Sequence, residues 1–191
     1  MWQGGPGRAR GCGATNAETD RAHRGWNGCV ITAPATGHMP KLITLGSGFL
    51  LAVLWANLMF DIQVWPHWGN KTLPEEVLSS IATYYARVAI EASPMGYLVG
   101  LVMLMTLAVS VRNVFVGLQP RWVRIATFVL LIGPVVAALT VIFPGAQKLA
   151  SRTDTLIVQS ELAFALFTAH VACFAAILLV LALQFLRAPR T

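Results

Sequence analysis

LITLGSGFLLAVLWANLMFDIQV, residues 42–64, is the stretch whose reading decides the fold. From Leu42 to Phe60 it carries no charged side chain, and then it meets Asp61. As a helix rising about 1.5 Å per residue, such a run crosses the roughly 30 Å hydrocarbon core of a bilayer. Asn57 precedes Asp61 by one helical turn, so the two side chains share a face. An amide or a carboxylate in hydrocarbon is costly without a partner, so this face is expected to turn toward protein rather than lipid.

Composition points the same way. The 191 residues are 56% hydrophobic and 12% charged, half the charge of a soluble domain at about 25%, and mean hydropathy is +0.64. The net charge of +6 does not indicate nucleic acid as a partner. The basic residues are scattered and flank apolar runs, which is the pattern of membrane topology. Cys12, Cys29 and Cys173 have no paired spacing, so no disulfide framework is implied.

Three further apolar runs follow. The second span covers about 95–111, just after Pro94. The third covers 125–143, with Pro134 expected to kink it and Pro144-Gly145 to end it. The hydrophobic part of the fourth covers about 162–186. Between the first two spans, Trp65 and Trp68 suit a membrane–water interface. Thr72 and Glu75 have capping-box spacing, so a helix is expected over 73–92. Its apolar positions (Val77, Ile81, Tyr84, Tyr85, Val88 and Ala92) follow the helical period, and Glu76, Ser80, Arg87 and Glu91 take the rest.

The expected fold class is therefore all-α: an integral membrane four-helix bundle with an extra amphipathic helix between spans 1 and 2. Residues 1–40 read as a tail, either disordered or an extension ahead of a true start at Met39. Residues 41–187 form the membrane domain and 188–191 a short tail. Basic residues crowd the side that holds both termini and the second connection, so both termini are expected in the cytoplasm, with the cell membrane as the site. Gly96 and Gly100 form a GxxxG pair that permits a close helix crossing. The expected crossing is inside the molecule, the alternative being a homo-oligomer contact.

In this topology Asn57, Asp61, Arg87, Glu91 and Glu161 gather in the outer half of the bundle, with His170 deeper. Two readings stand side by side. In one, His170 and Asp61 are acid–base catalytic candidates, with Asn57, Arg87, Glu91, Tyr84 and Tyr85 binding a hydrophobic small molecule. In the other, these groups satisfy one another: Arg87 pairs with Glu91 or Asp61, and His170 bonds a backbone or hydroxyl group. Glu161 lies on the opposite helical face from His170. No HxxxH or ExxH spacing supports a metal, and no cofactor motif is present.

The order of features also carries a resemblance. A first span ends in LMFDIQV, Tyr84-Tyr85 stands ahead of Pro94, the third span ends in VIFPGAQKL, and the last contains a histidine. Over residues 42 to 186 the chain resembles small four-span membrane proteins of the anthrone-oxygenase-like type. The resemblance implies cofactor-free oxidation of a hydrophobic substrate. The expected function is thus a multi-pass membrane protein that binds a hydrophobic small molecule or partner, the alternative being a small membrane oxidoreductase.

Overall fold

The structure is a computed structural model that describes residues 38–88 and 93–185. Six helices follow in order: α1 (Met39–Asp61), α2 (Glu75–Ala86), α3 (Ser93–Val116), α4 (Arg121–Ala137), α5 (Phe143–Ser151) and α6 (Leu156–Gln184). A 3₁₀ turn, Ile62–His67, extends α1, and a π turn, Ala138–Ile142, joins α4 to α5. No strand occurs among the described residues. Four continuous helical segments are long and apolar enough to cross a membrane: Met39–His67, Pro94–Val116, Arg121–Ser151 and Leu156–Gln184. The chain is an all-α bundle that fits a multi-pass membrane protein.

Helix α1 packs between α3 and α6, and α4 also packs against both. Helix α2 packs on α5 and α6 at the end of the bundle where α1 finishes. Two apolar clusters result. One joins Leu78 and Ile81 of α2 to Leu149, Leu166 and Phe167. The other, in the body of the bundle, joins Ile43, Leu50, Leu131, Ile177 and Val180. At the far end Arg124 donates to the backbone oxygens of Val114 (2.7 Å) and Asn113 (3.3 Å). Val114 O belongs to the last turn of α3, where helical donors run out, while Asn113 O also accepts from Gly117 N–H at 2.9 Å.

Three local expectations are corrected. Helix α2 does not begin with a Thr72 cap. Its N-cap is Pro74, with φ −56° and ψ 144° and no side-chain cap bond. Proline fixes φ and suits the start of a helix, while the preceding Leu73 N–H donates to Ser160 Oγ of α6 at 3.0 Å. Nor does Pro144-Gly145 end the third span, which continues to Ser151. Pro144 has no N–H to offer the preceding turn, and its ring crowds that turn's carbonyl. The π turn widens the helix at this point, with Phe143 N–H bonded to Ala138 O, and Pro144 then sits in the first turn of α5.

The third correction concerns glycine. A Cβ on Gly96 or Gly100 would meet no other group within 4 Å, so this pair makes no helix crossing inside the described bundle. The close approach is at Gly46, where a Cβ would lie 2.0 Å from Thr106 Oγ1 of α3. Gly46→Ala is expected to destabilise the bundle by about 1–3 kcal/mol through overpacking. Thr106→Ala in the same chain should recover most of that loss. Thermal unfolding of the single and double variants in detergent checks this, and equal losses in both would contradict the α1–α3 contact.

Candidate functional site

The last turn of α1 places Asn57 and Asp61 toward α2 and α6, as their spacing requires. Adjacent tyrosines of α2 answer them. Tyr84 OH donates to Asn57 Oδ1 at 2.6 Å, with its ring stacked on Phe60 at a centroid distance of 3.9 Å. Tyr85 OH donates to both oxygens of Asp61, at 2.8 and 3.0 Å. From α6, His170 Nδ1 lies 2.6 Å from Asp61 Oδ2. Asp61 and His170 are each only 1% exposed, so water does not weaken this contact.

With Asp61 ionised, the hydrogen-bond pattern sets the ring's orientation. A carboxylate can only accept, so the hydrogen between Asp61 and His170 belongs to Nδ1. In the neutral imidazole the lone pair is then on Nε2, which has no partner among the described residues. An Asp–His pair of this kind orients a base or a ligating nitrogen. Tyr85 holds the carboxylate from the other side.

His170 lies in the wall between two cavities. A cleft of about 630 Å³ runs from it past Tyr85, Val88, Ala146 and Gln147 to Gly96, Gly100, Leu101 and Leu104 of α3. Its volume is within the range of small-molecule sites, roughly 300–1,000 Å³. Leu101 and Leu104 are each 58% exposed, so the cleft borders the face that meets lipid. A smaller chamber of about 80 Å³ lies deeper, among Leu50, Met103, Leu131, Val135 and Ile177. Asn57, Ile142, Phe143 and His170 line both. Asp61 lines neither and stands behind His170.

No family model, curated protein or solved structure matches this chain.

Of the residues singled out from sequence, Asn57, Asp61, Tyr84, Tyr85 and His170 come together. Arg87 does not join them. It lines a separate cleft of about 310 Å³ with Ser79, Thr83 and Arg152, and Arg152 is ion-paired with Glu75. Glu91 lies outside the described residues. Among the described residues no three His, Cys, Asp or Glu side chains gather as a metal site would require. The sequence reading missed Gly96, Gly100, Ile142 and Phe143 as cavity lining. The signal for the last two was Pro144, whose missing N–H opens the turn that carries them.

Burial, and next the charge and hydrogen bond of Asp61, raise the Tyr85 phenol well above its ordinary 10.0. Unfolded, the phenol loses its proton near pH 10 while the folded one keeps it. The contribution is therefore complete below about pH 10 and declines above it, by about 1.4 kcal/mol per pH unit. Wild type should lose thermal stability between pH 10 and 11.5 more steeply than Tyr85→Phe. Parallel pH curves for the two proteins would exclude this coupling.

Proposed function

We propose that this membrane protein binds a hydrophobic small molecule, which enters the cleft beside α3 from the lipid and is held at its depth by His170 and Asn57. The observation that carries this reading is the apolar cleft of about 630 Å³ ending at a buried histidine whose Nε2 is unengaged. An ionisable side chain inside a membrane bundle is expensive, and a ligand is one reason to keep it. The bilayer is both solvent and source of the ligand. The positive-inside pattern supports cytoplasmic termini.

The test uses decane and 1-decanol, equilibrated with the detergent-solubilised full chain and quantified after gel filtration against protein-free micelles. Stoichiometric retention above the micelle background is expected. Retention no greater than in micelles alone would refute the reading.

A second reading is favoured by the Tyr85–Asp61–His170 arrangement. A ring oriented by a buried carboxylate is built to take a proton, so His170 would act as general base on the bound molecule, with Asp61 as its positioning residue. The resemblance to the anthrone-oxygenase-like type supports a substrate oxidation with dioxygen as the oxidant, of which this proton transfer is one part. In that case His170→Ala and Asp61→Asn abolish turnover in protein that still folds.

A further inference from the structure

The hydrogen bonds already made around the cleft determine which remain to be made. His170 commits Nδ1 to Asp61, leaving Nε2 as an acceptor. Asn57 commits Oδ1 to the Tyr84 hydroxyl, which donates to no other acceptor among the described residues. This keeps the amide oxygen on Tyr84 and leaves Asn57 Nδ2 as a donor. Both residues line the same cleft and the same inner chamber. Gln147 and Tyr97 line the cleft but not the chamber, so the wall that the two cavities share has one free acceptor and one free donor.

A single group that satisfies both must accept at its polar atom and donate from it. A carbonyl or an ether satisfies only Asn57. A primary amide brings a second N–H with no partner, and a trans secondary amide points its N–H away from its carbonyl, so it cannot present both to one wall. A carboxylate brings a charge into a cleft lined by no arginine or lysine among the described residues, which is costly away from water. A hydroxyl fits: its oxygen accepts from Asn57 and its hydrogen goes to Nε2.

Building on the binding function proposed above, we infer that the ligand is an apolar molecule carrying a hydroxyl, an alcohol or phenol that bridges Asn57 Nδ2 and His170 Nε2. Its skeleton fills the cleft against Leu101, Leu104 and Phe143 and remains in contact with lipid at the α3 side. The chemistry selects for the O–H and against its methyl ether, although the two have nearly the same apolar surface.

The experiment offers the full chain an equimolar mixture of 1-decanol, decyl methyl ether and decane. The ratio retained by the protein is divided by the ratio in protein-free micelles, which removes simple partitioning. The alcohol should be enriched over the ether by about tenfold, the value of one hydrogen bond made away from water. His170→Phe should bring that preference close to one while decane is still retained. Equal retention of alcohol and ether by wild type overturns the inference and leaves the binding function standing. Retention of none of the three overturns both. The wild-type comparison decides the matter even if the His170 variant fails to fold.

Discussion

Asp61→Asn is expected to leave the bundle folded and to invert the hydrogen-bonding character of the cleft. The amide has the shape of the carboxylate but an NH2 group, with two hydrogens to donate, in place of one acceptor oxygen. With Oδ1 still accepting from Tyr85, the new Nδ2 faces His170 Nδ1 and donates one of its two hydrogens to it. Nδ1 must then accept, so the imidazole hydrogen moves to Nε2. The wall shared by the cleft and the inner chamber now presents two donors, Nε2–H and Asn57 Nδ2, where it presented one donor and one acceptor. The alcohol-over-ether preference should fall from about tenfold to one or below. Nitrogen-15 shifts of the imidazole report the tautomer directly, so the two effects are measured independently. A wild-type tautomer in the variant would remove the physical basis of the prediction.

The stability cost separates this change from a cruder one. Asp61→Asn exchanges charge-assisted bonds for neutral ones, a loss of about 1–3 kcal/mol. Asp61→Ala leaves the Tyr85 hydroxyl and His170 Nδ1 with no acceptor in a site 1% exposed, and about 3–5 kcal/mol is expected. Reduced accumulation of the alanine variant is therefore no evidence about ligands. The asparagine variant is the informative one.

The part of this site that was legible in the sequence is the part set by helical period. Asn57 and Asp61 one turn apart, in a run otherwise without charge, required a protein-facing surface, and adjacent Tyr84 and Tyr85 supply its partners. Apolar run length likewise indicated four spans and an amphipathic helix. What period cannot give is the meeting of residues far apart in the chain. His170 and Asp61 are separated by 109 positions, and by sequence Asp61 had Arg87 as a candidate partner beside His170. Arg87 itself caps the C-terminal end of α2 and lines another cleft. Local rules also lost to tertiary context at Pro144, where a chain breaker was absorbed by a π turn and the span ran on.

Gly100→Phe should abolish retention of decane and decanol without weakening the fold. Gly100 lines the large cleft, and a Cβ built there has open space for 4 Å around it. A phenyl ring entering that space displaces the ligand's skeleton rather than a neighbouring helix. Removing a helical glycine should itself stabilise α3 by about 0.5–1 kcal/mol. Retention is expected to drop by at least about tenfold, because the apolar contact area is what draws a hydrophobic molecule into the site. Gly100→Ala is the control: it gives the same helical benefit and leaves room for the ligand. Gly46→Ala, the same substitution in another helix, should lower stability because Thr106 already fills that space. Unchanged retention in Gly100→Phe would move the binding site away from this cleft. The opposite signs at Gly46 and Gly100 follow from one geometric fact, namely what stands where the new carbon must go.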